Sequence, residues 1–123
     1  MKIYEVLQDV KNHKPSQYGD VKMLEWLSAL DGQVWEDLLS RYGVPAPALP
    51  YREQMMNVQL AVPFPHDQLY MTYLSAQIDY MNAEYERYNN GMMMFNAQLQ
   101  AFYDAYTRTH RRAGAQIKGV KAL

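Results

Sequence analysis

Apolar residues recur every three or four positions along most of this chain, and the phase of that recurrence lays out its elements. Ile3, Val6, Leu7 and Val10 share one helical face, which predicts a short amphipathic helix over residues 2–12. Pro15 cannot continue it, so Asn12–Gly19 reads as a loop. From Asp20 the face resumes with Met23, Leu24, Leu27, Leu30, Val34, Trp35, Leu38 and Tyr42, and Gly43 is a suitable stop. Gly32 lies inside this pattern. Either the helix runs through it at a cost of about 1 kcal/mol relative to Ala, or Asp31 caps a second helix. The unbroken phase favours a continuous or slightly kinked helix.

Five prolines (Pro45, Pro47, Pro50, Pro63 and Pro65) exclude a helix over residues 44–66. Within that loop Val58, Leu60 and Val62 alternate with Gln59 and Ala61, the period of a short strand. Such a strand needs a partner for its backbone groups. The candidates are Tyr51–Met55 in the same loop or a neighbouring subunit, and on the second view Tyr51, Val58, Leu60 and Val62 make inter-subunit contacts. Two long amphipathic stretches follow. Tyr70, Tyr73, Leu74, Gln77, Met81, Tyr85 and Tyr88 predict a helix over Asp67–Tyr88; Met94, Phe95, Leu99, Phe102 and Tyr106 predict another over Gly91–Thr109. Asn89-Asn90-Gly91 has turn chemistry, so the expectation is an antiparallel αα-hairpin turning there, its helices each ~30 Å long. Leu74, Ile78, Phe95, Leu99 and Phe102 are its expected core. The fold class expected is therefore all-α: a small helical bundle on a long hairpin, with one extended Pro-rich loop carrying a short β segment. Residues 1–110 form the domain and 111–123 a basic C-terminal tail.

Charge adds a polarity to this plan. The net charge is only −1, but five of the 12 basic residues (Arg108, Arg111, Arg112, Lys118 and Lys121) follow the last acid, Asp104. The rest of the chain is left with seven basic against 13 acidic residues. An acidic body thus carries a basic end. Ile117, Val120 and Leu123 add a narrow apolar strip to that end, suited to docking on a partner. The absence of cysteine removes disulfides, thiolate chemistry and Cys-based zinc sites. No apolar run approaches the ~20 residues of a membrane helix, and residues 1–5 lack signal-peptide features.

Catalytic patterns are missing. There is no phosphate-cradling Gly-rich loop, and His13, His66 and His110 have no metal-ligand spacing. The serines lie in no nucleophile-elbow context. The acids read as a solvated face, with Asp104/Arg108 and Glu84/Arg87 spaced for surface ion pairs. An enzyme is not expected, nor a cofactor or a metal. Two features suggest contact surfaces instead. Of the 11 tyrosines, seven lie in the last two helical stretches; Tyr80 and Tyr103 fall beside the main stripes, where interface tyrosines sit. Met92, Met93 and Met94 are adjacent, so they cannot all face one core, and Met92 and Met93 are taken as contact candidates.

Several stretches together carry a family resemblance. They are Lys14-Pro15-Ser16-Gln17-Tyr18, Trp26-Leu27-Ser28-Ala29-Leu30-Asp31-Gly32, Val62-Pro63-Phe64-Pro65-His66-Asp67-Gln68-Leu69-Tyr70 and Tyr73-Leu74-Ser75-Ala76-Gln77-Ile78-Asp79. Glu84-Tyr85-Glu86-Arg87-Tyr88-Asn89-Asn90, Phe95-Asn96 and Tyr106-Thr107-Arg108-Thr109-His110 complete the set. In this order, over about Val10–His110, the chain resembles the head-to-tail connector proteins of tailed bacteriophages, also called adaptor or head-completion proteins. The three-methionine run and Val44–Pro50 look particular to this sequence.

The resemblance implies a structural virion subunit, assembled in the host cytoplasm into a homo-oligomeric ring expected to be a dodecamer. Such a ring docks under the portal protein, extends the DNA channel without sequence-specific DNA binding, and receives a downstream tail or tail-completion protein. It also implies that the C-terminal segment reaches the portal, here through Arg108, Arg111, Arg112, Ile117, Lys118, Val120, Lys121 and Leu123. The competing expectation, from charge alone, is a small helical nucleic-acid-binding protein using the same tail; its affinity would fall steeply with salt.

Overall fold

A computed structural model describes residues 1–110 of the chain. These residues are mostly helical: α1 (Ile3–His13), α2 (Asp20–Asp37), α3 (Leu69–Met81) and α4 (Tyr85–Thr109), with short 3-10 turns at Leu39–Tyr42 and Glu53–Met55. The all-α class holds.

α1 starts where Glu5 accepts a hydrogen bond from the Lys2 backbone N–H at 2.7 Å. Its whole apolar stripe, Ile3, Val6, Leu7 and Val10, is buried. α2 runs unbroken through Gly32, so the Asp31 cap does not form. A side chain at Gly32 would put a Cβ 3.3 Å from Leu49 of the proline loop, which leans on the helix there. α2 ends at Asp37, earlier than the apolar pattern suggests. The Leu39–Tyr42 turn carries the remaining apolar residues to Gly43, whose φ of 78° makes the stop. The Trp35 indole donates to the Val44 carbonyl at 2.8 Å and fixes the direction in which the loop departs.

The expected strand over Val58–Val62 is corrected. Among the described residues there is no strand, only an isolated antiparallel bridge between Lys2 and Gln59. Within the chain the loop pairs chiefly with the start of α1; from Tyr51–Met55 it takes only a turn bond, from the Val58 N–H to the Met55 carbonyl at 3.0 Å. Ile3 and Tyr4 donate to the Val58 and Met56 carbonyls at 3.1 and 3.0 Å, and Leu60 donates to Met1 at 3.0 Å. The physical reason lies in α1. The N–H groups of its first turn have no partner within the helix, and the loop carbonyls satisfy them.

The turn between the last two helices also lies elsewhere than expected. α3 stops at Met81, and α4 passes straight through Asn89, Asn90 and Gly91. The chain reverses at Asn82–Glu84. There Ala83 donates to Tyr80 O at 3.0 Å and Glu84 to Asp79 O at 2.8 Å, the paired bonds of a Schellman closure. The left-handed position is held by Ala83, with φ 60°. Gly91 is needed for close packing instead. A Cβ on it would lie 3.2 Å from the Ala76 Cβ, so its missing side chain lets α4 approach α3. Contacts pair Tyr80 with Tyr88 and Tyr73 with Phe95, so residue numbers rise along one helix as they fall along the other.

The core is formed by α1, α2, α3 and the loop, whose Tyr51, Leu60 and Val62 are buried in it. α4 packs chiefly against α3 and contributes two buried residues, Phe95 and Phe102. Leu74 and Ile78 are buried as expected, whereas Leu99 is only partly covered.

Candidate functional site

The most concentrated polar chemistry among the described residues is internal. Asp31, on α2, is fully buried. Its Oδ1 accepts from the Tyr70 hydroxyl at 2.6 Å, and its Oδ2 accepts from the Tyr51 hydroxyl at 2.6 Å and the Ala61 N–H at 3.0 Å. The Tyr70 hydroxyl in turn accepts from the Val62 N–H at 2.8 Å. Ser28, one turn before Asp31, accepts from the Tyr51 N–H at 2.9 Å. Burial pushes the Asp31 carboxyl above its ordinary value, and the three donated bonds pull it partly back. Burial, together with the carboxylate beside them, also pushes the Tyr51 and Tyr70 hydroxyls up, so both remain donors. A carboxylate so enclosed cannot meet a substrate. Its chemistry is to pin both limbs of the proline loop onto α2 and α3. For Asp31 this corrects the reading of the acids as a solvated face, whereas Glu84 is exposed and paired with Arg87 at 3.1 Å as its spacing suggests. Asp67 and Asp79 are buried as well, and Asp79 is paired with Lys14.

The surface is where binding can occur. α4 spans 25 residues yet buries only Phe95 and Phe102. Met93 is 72% exposed and Met94 59%; Tyr80, Met81 and Tyr85 near the Asn82–Glu84 reversal are each about half exposed. The Tyr80 ring packs against Tyr85 and Tyr88 at 5.6 and 5.0 Å, which ties these tyrosines into one platform. Beside it an open groove of about 640 Å³ runs between α1, α3 and α4, lined by Asp9, His13, Gln68, Thr72, Asp79 and Met94 among others. Among the described residues no group of three or more His, Asp or Glu side chains could hold a metal. No helix among them is long and apolar enough to cross a membrane.

The expected contact residues divide sharply. Tyr80 and Met93 are exposed, and Met92 is half-buried at the α3–α4 seam. Tyr103 is half-buried; its hydroxyl lies 3.5 Å from Asp37, and burial with that nearby charge pushes it up to about 12. Tyr51, Leu60 and Val62 are buried in the chain's own core, and Val58 is half-buried beside the start of α1. Arg108 is exposed near the C-terminal end of α4. Arg111, Arg112, Ile117, Lys118, Val120, Lys121 and Leu123 lie outside the described residues. Sequence reasoning missed Asp31 as a hub. Its one local signal was an acid in phase with Leu27 and Val34 on the apolar face of α2.

Comparison with protein-family models, curated proteins and solved structures finds no match.

Proposed function

We propose that this chain is a subunit of the head-to-tail connector ring of a tailed bacteriophage, docked under the portal and extending the DNA channel toward the tail. The reading starts from the ordered motifs between Val10 and His110 that resemble connector proteins. The observation that carries it furthest is α4: a 25-residue helix with two buried residues and an exposed methionine and tyrosine face. Large exposed apolar surfaces mark interaction sites. In this reading α3 and α4 form a hairpin wall. The neighbour in the ring covers Tyr80, Met92 and Met93, and Tyr103 lies at the edge of that contact. The proline loop serves indirectly, held to α2 and α3 by the Asp31 cluster and to α1 by backbone hydrogen bonds. The basic residues from Arg108 onward dock on the portal, and the acidic body gives passing DNA nothing to adhere to.

Electron microscopy of the protein mixed with portal particles from the same virus tests this. Rings of about twelve copies seated coaxially on the portal are the expected result. A protein that stays monomeric at every concentration, ignores portals and instead binds free DNA with steep salt dependence would overturn the proposal.

A further inference from the structure

The turn that reverses the chain between α3 and α4 is made of residues that would serve as well inside a helix. Asn82-Ala83-Glu84 holds neither glycine nor proline. Alanine is the best of the helix formers and glutamate stands close to it. Yet Ala83 sits in the left-handed region at φ 60°, where an L side chain costs free energy that glycine would not. The Ala83 and Glu84 N–H groups close the turn on the Tyr80 and Asp79 carbonyls, and the Tyr18 hydroxyl donates to the Asn82 side chain at 3.3 Å. If the helix ran on, bonds to carbonyls four residues back would replace the backbone pair. The side chains agree. Across the seam Tyr73 meets Phe95 at 4.9 Å, Tyr80 meets Tyr88 at 5.0 Å, and Gly91 leaves room for Ala76. In sequence Tyr73, Ala76, Tyr80, Tyr88, Gly91 and Phe95 are spaced by threes, fours and one eight, so on a continuous helix all six fall on a single face. The faces that α3 and α4 turn to each other are therefore in phase across the turn.

Such a stripe is self-complementary. Each seam contact pairs a residue before the turn with one after it, and the two helices run antiparallel. A straightened helix from Leu69 to Thr109, about 60 Å long, would offer an antiparallel second copy the same pairs in the same order. α4 is otherwise lightly held. It packs chiefly against α3 and buries only Phe95 and Phe102. The contacts of its far end, Phe102 on His66 and Tyr106 on Tyr42, would be repeated on the partner. We propose that α4 exchanges between copies: the turn at Asn82–Glu84 opens, and the α4 of each chain fills the seam along α3 of the other. The partner is a second copy of this chain, and the complementary surface is the α3–α4 seam itself. Because every seam contact is kept, the balance between closed monomer and exchanged dimer rests on the turn and on concentration. The exchange does not depend on the connector reading.

The chain has no cysteine of its own, which makes a disulfide trap clean. A full-length Ala76→Cys chain and a full-length Gly91→Cys chain are unfolded together in urea, refolded at high concentration and oxidised. The Ala76 Cβ and a Cβ placed on Gly91 lie 3.2 Å apart, just under the ~3.5–4.5 Å that a disulfide spans. Peptide mapping should find residue 76 of one chain bonded to residue 91 of the other. Native mass measurements across concentration on wild type, Ala83→Gly and Ala83→Ile supply a second readout that places nothing in the seam. Ala83→Gly relieves the left-handed turn and weakens the open helix. It should raise the dimer dissociation constant roughly thirtyfold per turn, and about a thousandfold for a dimer that opens two. Ala83→Ile puts a β-branched residue at positive φ and should shift the chain toward dimer. Wild type and Ala83→Ile that both stay monomeric overturn the inference. So does a dimer that is indifferent to Ala83→Gly and lacks the 76–91 bond; if Met93→Lys abolishes that dimer, the exposed face of α4 makes it, and the connector reading stands.

Discussion

Removing a single oxygen atom from the protein interior should cost more than removing a large exposed side chain. Tyr70→Phe deletes a hydroxyl that both donates to Asp31 at 2.6 Å and accepts from the Val62 N–H at 2.8 Å. The bond to the carboxylate is charge-assisted and contributes about 1.5–3 kcal/mol; a buried N–H left without an acceptor costs a further ~1–3 kcal/mol. The ring itself stays, so almost no cavity forms, and the expected loss is about 3–5 kcal/mol. Against a total stability of about 5–15 kcal/mol for a domain, that is a large share. At about 4 °C per kcal/mol for a chain of this size, Tm should fall by roughly 12–20 °C. Tyr51→Phe is the internal control. Its hydroxyl donates to Asp31 and accepts nothing identified, so its loss should be about 1.5–3 kcal/mol. Urea denaturation of wild type and both variants at pH 7 measures the two numbers. With one donor gone, Asp31 also takes up a proton more readily, so the Tyr70→Phe penalty should shrink on acidification. A Tyr70→Phe cost below about 1 kcal/mol, or one no greater than that of Tyr51→Phe, would refute the double role assigned to this hydroxyl.

The remaining expectations concern other links. Asp31 holds its proton above the ordinary 3.8, so its contribution to stability is complete below that value and is lost as pH rises through the raised one. The stability difference between wild type and Asp31→Asn should therefore move in favour of Asn with rising pH across this window, and a difference that moves the other way would contradict the direction. Ala83→Gly relieves a left-handed alanine at φ 60° and should raise stability by about 0.5–1 kcal/mol, seen as a higher Tm. Gly91→Leu drives a side chain into Ala76 across the helix seam and should cost about 1–3 kcal/mol by urea titration. Met93→Lys combined with Met94→Lys should leave the far-ultraviolet circular dichroism and Tm nearly unchanged, since both side chains are mostly exposed, while abolishing ring assembly in native mass measurements. Truncation after Arg112 should leave residues 1–110 folded and prevent attachment to portal particles.

Local chemistry was enough to determine much of this protein. Ile3, Val6, Leu7 and Val10 bury as their spacing requires, because a helical stripe is set by 3.6-residue geometry and by nothing distant. Gly43 stops its turn and the prolines keep residues 44–66 largely free of helix, since both act through their own φ. That at least one of three adjacent methionines points outward was legible, because they cannot share one face; which ones was not, since Met93 and Met94 are exposed and Met92 is half-buried. Tertiary structure decided the rest. Asn89-Asn90-Gly91 carries stronger turn chemistry than Asn82-Ala83-Glu84, yet the turn forms at the second. Packing Gly91 against Ala76 needs the first inside a helix, and Schellman bonds can hold even an alanine left-handed. The alternation at Val58–Val62 looked like a strand in search of a partner; its partner proved to be the start of α1, more than fifty residues away in sequence. By sequence Asp31 was one acid among many, with a helix cap as its less favoured role. Only the fold brings Tyr51, Ala61 and Tyr70 to it, and an acid becomes a buried hub when donors from three separate segments converge on it. Periodicity records which side of an element is apolar; it holds no information about which distant groups meet there, and that meeting is what fixes the loop, the turn and the exposed face of α4.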